Sequence, residues 1–213
     1  MKFFSHSNFY FFLTAVVLCL SSCSKQVVPL PIDKDANTIT IRSLSVMPVE
    51  IVGADKEASH TVTKQLKEGA VVLKSSIKDI LQDKDGVSYL FPGQAESLLG
   101  DFHGNKHEAA LHIGKKIEAD AVLVLRLFRY INREGKTYSV SQPASVSFEY
   151  RLLHVPSGKV LCTGVFDETQ ESLFSNLFSF RQASKRGFSW ITARELTMEG
   201  LKEKFEACRY LSQ

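Results

Sequence analysis

Residues 144–152 of the sequence read ASVSFEYRL, and their pattern decides the fold. Apolar side chains alternate with polar ones over the whole stretch: Ala144, Val146, Phe148, Tyr150 and Leu152 against Ser145, Ser147, Glu149 and Arg151. Successive side chains of a β-strand point to opposite faces of its sheet. The period of two therefore predicts a strand with one buried face and one solvent-facing side.

Two further strands are predicted beside this one. Upstream, the uninterrupted apolar run Ala121–Leu125 is typical of a strand covered on both faces, and we take it as the central strand. Between the two, Asn132–Lys136 reads as a polar turn. Downstream, Pro156–Gly158 suits a tight turn, after which Lys159–Asp167 returns antiparallel. Three consecutive strands would thus form a meander.

The remaining chain alternates between strand and helix signals. Apolar residues recur at steps of three and four in Ala58–Leu81 and Lys106–Ile117, which predicts two amphipathic helices. Strands are predicted at Thr38–Val49 and Val87–Phe91, and the capping-box pattern Thr192–Glu195 begins a last helix. The order β-α-β-α-β-β-β-α predicts an α/β (α+β) sandwich, with helices packed on a single mixed sheet of about five strands.

The amino terminus has the features of an export signal. Its uncharged apolar block, Phe9–Leu20, is shorter than the roughly 20 residues that a bilayer span needs. Next comes Leu20-Ser21-Ser22-Cys23, which resembles the lipobox of bacterial lipoproteins. That resemblance implies that the signal peptide, residues 1–22, is removed and that Cys23 is acylated. An ordinary secretory signal followed by a chance cysteine is the alternative.

A lipidated Cys23 would fix the rest of the chain to a membrane, because several acyl chains on one residue hold a protein durably. Ser24 follows, and the resemblance implies sorting to the outer membrane, since retention in the inner membrane usually needs an aspartate there. Residues 23–37 contain two prolines and no helical period, which indicates a flexible tether. Residues 38–213 would form a single periplasmic domain.

Charge and cysteine usage limit the partners. The chain has 26 basic and 23 acidic residues, a formal net charge of +3, which falls to +2 when Lys2 leaves with the signal peptide. This balance does not favour nucleic acid as a partner. Of the four cysteines, only Cys162 and Cys208 remain in the domain. They form a disulfide if the last helix covers the strand of Cys162, and otherwise they are two buried thiols.

Three segments carry a resemblance to a known group of proteins. Glu118–Tyr130, Pro143–Leu173 and Arg186–Leu201 resemble a set of uncharacterised outer-membrane lipoproteins from Gram-negative bacteria. The element order and the anchor are similar in architecture to the curli secretion-channel lipoprotein, the lipoprotein activators of penicillin-binding proteins and the amino-terminal domain of the TolB protein. Fold does not determine function, but the resemblance implies a binding and assembly module.

An aromatic-basic segment, Leu173–Trp190, is the candidate partner-binding site. It combines aromatic with cationic residues, a mixture that is enriched at interface hot spots, and the residues expected to bind are Phe178, Arg181, Lys185, Arg186 and Trp190. The alternative is a short helix and loop that tucks its aromatic side chains under the sheet and leaves the cations in water.

Signals for catalysis are weaker. Asp167, Glu168 and Glu171 lie close together where a strand ends, so they could share a proton or hold a cation, although such residues also cap helices. His103 and His107 have the spacing of two helical metal ligands, but the context reads as a loop. The sequence has no P-loop, nucleophile elbow or zinc-protease motif. We therefore expect no enzyme, cofactor or metal.

The leading hypothesis is a non-catalytic lipoprotein, anchored in the outer membrane and facing the periplasm. Its domain would bind another envelope protein or further copies of itself. One alternative is a membrane-tethered hydrolase of wall or lipid components that acts through the three carboxylates. The other is a subunit of an export or secretion complex.

Overall fold

The computed structural model describes residues 39–53, 59–136, 139–170 and 191–212. From Thr40 onward they belong to one compact unit. The strands are β1 (Leu44–Val46), β2 (Glu50–Ile51), β3 (Val87–Tyr89), β4 (Ala121–Ile131), β5 (Glu134–Lys136), β6 (Ser139–Gln142), β7 (Ser145–His154) and β8 (Val160–Thr169). The helices are α1 (His60–Ile80), α2 (Pro92–Leu99), α3 (Lys106–Lys116) and α4 (Ala193–Glu206).

Strand β4 lies at the centre of a six-stranded mixed sheet in the order β3-β1-β4-β7-β8, with the short β2 also paired to β4. Strands β3, β1 and β4 are parallel to one another, as are β2 and β4. Strands β4, β7 and β8 are antiparallel neighbours. The predicted fold class, central strand and meander are therefore confirmed.

The first predicted strand, Thr38–Val49, is shorter than expected and has a second part. Strand β1 begins only at Leu44, and β2 resumes the pairing with β4 after Pro48. Proline has no N–H to donate to a sheet ladder, so the pairing is interrupted there. The amides on either side still bond to β4: Met47 N to Leu123 O and Val52 N to Leu127 O, each at 2.9 Å.

One face of the sheet is covered by α1 and α4 and holds the main core. The inward residues of β7 are Val146, Phe148, Tyr150 and Leu152, all at most 1% exposed. They are the apolar half of the alternation in residues 144–152. At Gly200 of α4, an added Cβ would lie 2.7 Å from the ring of Phe166, so the helix packs on β8 at a distance that only glycine permits.

Among the described residues, the second face of the sheet is covered over only part of its area. Helix α3 packs there through a small cluster of buried residues formed by Ala110, Val122, Leu153 and Val155. Beyond this cluster the outward residues of β4 and β7 are mostly polar. We call this uncovered part the open face.

The sequence patterns did not predict three elements, helix α2 and strands β5 and β6. Helix α2 begins at Pro92, where the amide of Phe91 donates to Gln94 Oε1 at 2.9 Å and closes the first turn. The expected polar turn Asn132–Lys136 contains strand β5, which pairs with β6 in a separate two-stranded sheet. Within the described residues, no helix has both the length and the apolar composition to cross a membrane.

The capping box at the start of α4 forms as the sequence predicts. The amide of Glu195 donates to Thr192 Oγ1 at 3.2 Å, and the amide of Thr192 donates to Glu195 Oε2 at 2.7 Å. The bond from the Thr192 amide to the carboxylate is the largest of the effects that lower the pKa of Glu195, and the Thr192 hydroxyl, which donates to the same oxygen at 2.9 Å, is the next.

A disulfide links Cys162 of β8 to Cys208, just beyond α4, with their Cα atoms 5.8 Å apart. Helix α4 packs on β7 and β8, so the last helix does cover the strand that carries Cys162. The two cysteines are 46 positions apart in sequence. A bridge that closes a loop of this length restricts the unfolded chain substantially.

Asp120 joins the start of β1 to the start of β4. Its Oδ2 accepts hydrogen bonds from the amides of Arg42 at 2.8 Å and Ser43 at 3.1 Å, and its own amide donates to Ser43 Oγ at 2.8 Å. The bond from the Arg42 amide is the largest of the effects that lower the pKa of Asp120.

Removing the disulfide should destabilise the domain. We expect the double variant Cys162→Ala/Cys208→Ala to lose about 4 kcal/mol of unfolding free energy, because the unfolded chain regains the entropy of the open loop. Denaturant unfolding of both proteins, with and without reductant, measures this. Reductant should weaken the wild type to the level of the variant and leave the variant unchanged. Equal stability in all four samples would contradict the prediction.

Asp120→Asn should cost about 1–2 kcal/mol at pH 7, since charge-assisted hydrogen bonds become neutral ones. The folded-state pKa lies below the ordinary value of 3.8, so the carboxylate stabilises the fold fully above that value. The difference between variant and wild type should therefore shrink as the pH falls below 3.8 and through the folded-state pKa. Asp83→Asn, at an exposed position, is the control. A difference that does not change with pH would refute this role.

Candidate functional site

The predicted lipidation and partner-binding residues lie outside the described residues. They are Cys23, Phe178, Arg181, Lys185, Arg186 and Trp190. Their roles stay predictions.

The three carboxylates of the hydrolase alternative do not form one site in the described part of the chain. Asp167 and Glu168 are successive residues of β8 and so point to opposite faces of the sheet. Asp167 forms an ion pair with Arg129 of β4. Glu171 lies outside the described residues. The first two carboxylates therefore cannot act on the same side of a substrate.

The two histidines with metal-ligand spacing are also separated by the structure. His107 is in the first turn of α3, with Nε2 3.2 Å from the carbonyl oxygen of Gly158, while His103 precedes the helix. Across residues 39–53, 59–136, 139–170 and 191–212, no group of three or more potential metal ligands comes together.

A cavity of about 240 Å³ lies on the open face, next to the amino-terminal end of α3. Its apolar lining is Val124 of β4 and Leu153 of β7. Its other lining residues are polar or charged, and they come from four different elements: Glu50, Lys106, His107, Arg126, Glu149 and Arg151. This is the candidate binding site of the described domain.

The charged residues of the cavity form a row of alternating sign: Lys106, Glu50, Arg126, Glu149 and Arg151. Lys106 forms an ion pair with Glu50. Arg126 lies between the two carboxylates, with Nη1 2.9 Å from Glu149 Oε1 and Nε 3.5 Å from Glu50 Oε2. Arg151 Nη2 lies 3.7 Å from Glu149 Oε1, which is beyond hydrogen-bonding distance. We call these five residues the charged row.

The strand register determines the position of Arg126, the central residue of the charged row. Arg126 stands directly opposite Glu149 in the antiparallel pair β4–β7, and Glu50 is its partner in the parallel pair β2–β4. Side chains at such paired positions are close enough to interact. Resumption of the first strand after Pro48 is what brings Glu50 to this position.

The charged row carries an excess of positive charge, because three cations face two carboxylates. The carboxylates are the better shielded members: the side chains of Glu149 and Glu50 are 16% and 28% exposed, against 76% for Lys106. The Arg126 guanidinium also lies 5.1 Å from the centre of the Phe128 ring, in a cation–π contact. The central arginine is thus held in place, and the cations at both ends are accessible.

Apolar residues continue the open face beyond the cavity. Val165 of β8 is paired with Glu149 and is 60% exposed, and Phe128 of β4 is 36% exposed. The combination of accessible cations with exposed apolar side chains is a surface suited to binding rather than to chemistry.

Comparison with known proteins gives distant likenesses only. No protein-family profile and no curated protein matches the sequence. Among solved structures, this chain is similar to the PelC dodecamer from Paraburkholderia phytofirmans (TM-score 0.46, 12% identity, covering 81% of this chain and 86% of that one). It is also similar to lipoprotein GNA1162 from Neisseria meningitidis (TM-score 0.39, 16% identity, covering 68% of this chain and 97% of that one). A third similar structure is the LpoB C-terminal domain from Salmonella enterica (TM-score 0.37, 16% identity, covering 63% of this chain and 88% of that one). At these scores the likenesses carry no argument about function.

Arg126→Met should destabilise the domain by about 1–2 kcal/mol, between the values of exposed and buried ion pairs, because it leaves the shielded Glu149 without its main partner. Lys106→Met is the matched control at the exposed end of the row and should stay within about 0.5 kcal/mol of the wild type. Chemical denaturation measures both. If Arg126→Met has no larger effect than the control, the row does not depend on its central arginine.

Proposed function

We propose that the chain is a lipoprotein, anchored through Cys23 in the outer membrane, whose periplasmic domain is a non-catalytic module that binds another protein of the cell envelope. The lipobox-like stretch before Cys23 supports the anchor. The tether, residues 23–37, would let the domain reach a partner near the membrane.

The observation that supports binding best is the open face. A sheet normally buries its apolar face, and within the described residues part of this second face has no helix packed on it. It has a cavity, two accessible cations at the ends of the charged row, and the exposed side chains of Val165 and Phe128. Exposed apolar groups that lie beside accessible charge favour a protein partner.

A hydrolase receives less support. Its proposed carboxylates Asp167 and Glu168 point to opposite faces of β8, and neither of them lines the cavity. Those carboxylates that do line it, Glu50 and Glu149, each have a cationic partner. Both carboxylates are therefore already engaged by cations of the charged row.

A photo-crosslinking residue at Val165 should capture a discrete partner in cells that make the full chain at its native level. The same residue at Lys202, on the exposed side of α4, is the control and should capture nothing. The adduct should disappear when Cys23→Ser releases the protein from the envelope, because the partner would no longer be held nearby. Gels probed for the protein show the adduct as a band of higher mass.

Absence of an adduct at Val165, or equal adducts at both positions, would refute binding through the open face. The variant Phe178→Ala/Arg181→Ala/Trp190→Ala tests the aromatic-basic segment in the same cells. Loss of the adduct would include that segment in the binding surface, whereas an unchanged adduct would exclude it.

A further inference from the structure

We infer that the cavity on the open face binds an acidic peptide segment, with a carboxylate on Arg151 and the apolar side chain two residues away against Val124 and Leu153. This inference rests on the proposed function, because it identifies the chemistry of the partner that the open face would bind.

Arg151 is the available member of the charged row. Half of its side chain is exposed, and among the described residues its nearest carboxylate oxygen, Glu149 Oε1, is 3.7 Å from Nη2. A guanidinium group has five N–H donors in a planar fork that matches the two oxygens of a carboxylate. Arg151 can therefore form a bidentate pair with an incoming acid without first losing a hydrogen bond to Glu149.

The net positive charge of the cavity favours an acidic ligand. Lys106, Arg126 and Arg151 outnumber Glu50 and Glu149 by one charge, so an incoming carboxylate neutralises the site. A basic ligand would instead meet the accessible cations at both ends of the row. Like charges in contact disfavour binding, which gives the site its selectivity.

The size and lining of the cavity favour a peptide side chain over a whole small molecule. Its volume of about 240 Å³ is below the range of roughly 300–1,000 Å³ that is usual for ligand pockets. Val124 lies directly opposite Arg151 in the β4–β7 register, so the apolar lining adjoins the guanidinium. An extended segment that carries an acidic and an apolar side chain two residues apart presents both to the same side, so it can contact both and continue towards the exposed Val165.

The test is fluorescence anisotropy with the full chain purified in detergent and a fluorescein-labelled pentapeptide, Ser-Glu-Ser-Leu-Ser, whose glutamate and leucine are two residues apart and so face the same side when the peptide is extended. We expect it to bind about tenfold more tightly than the same peptide with glutamine, as one charge-assisted hydrogen bond requires. Arg151→Gln should remove this preference. Glu149→Gln should strengthen binding, because the like charge beside the incoming acid is lost, whereas a merely structural role of Glu149 would weaken it.

Arg209→Gln, at an exposed arginine after α4, is the matched control and should leave the affinity unchanged. Equal binding of both peptides, or weaker binding by Glu149→Gln, would overturn the inference. Competition by acetate alone at the peptide's concentration would do the same, since it would indicate a site for small anions. Arg151-dependent binding of phosphatidylglycerol vesicles without peptide binding would indicate a headgroup site instead.

The acidic-segment inference and the proposed function can fail independently of each other. If Val165 captures its partner in cells equally well when Arg151 is replaced by glutamine, the open face binds a protein but not through an acidic segment, and only the present inference fails. If the wild type captures nothing, the proposed function itself is wrong.

Discussion

The antiparallel pairing of β4 with β7 is the constraint on which the rest of the structure depends. Its register sets Leu125 opposite Tyr150 and Leu127 opposite Phe148, and all four side chains are buried in the main core. The same register sets Arg126 opposite Glu149 on the other face. A slip of one residue would exchange the two faces and put charge into the core, so the hydrophobic pattern fixes the core and the charged row together.

The coverage of the sheet determines where a partner can bind. Helices α1 and α4 cover the face that holds the main core, whereas among the described helices only α3 packs on the other face, at the end where Val122 and Leu153 are apolar. Where this cover stops, cross-strand ion pairs replace apolar contacts, and the face is stable in water without a helix. Keeping ion-paired charges on such an exposed surface costs little free energy. Three cations face two carboxylates there, so one more anion can neutralise the excess positive charge.

Sequence patterns within single segments predicted most of the fold, whereas the cavity on the open face is formed by residues that long-range strand pairing brings together. The alternation in residues 144–152, the apolar run from Ala121 and the capping box at Thr192 each report on their own segment, so strands, helices and their faces followed from the sequence. The cavity did not, because its residues come from β2, α3, β4 and β7 and meet only through register. Arg126 could have indicated this site from the sequence, because it is the first charged residue in the run AVLVLRLFRY. A central strand tolerates a charged residue only where that residue has a partner.

The central claim is that the open face is covered by a partner in the envelope, and cysteine labelling tests it most directly. Val165→Cys and Lys202→Cys introduce a thiol on the open face and on the exposed side of α4, respectively. Each is labelled with a small maleimide in isolated envelopes and again after purification. The account predicts that the thiol at position 165 reacts at least about tenfold more slowly in envelopes than after purification, while the thiol at position 202 reacts equally in both. Equal rates for position 165 in the two samples would contradict it.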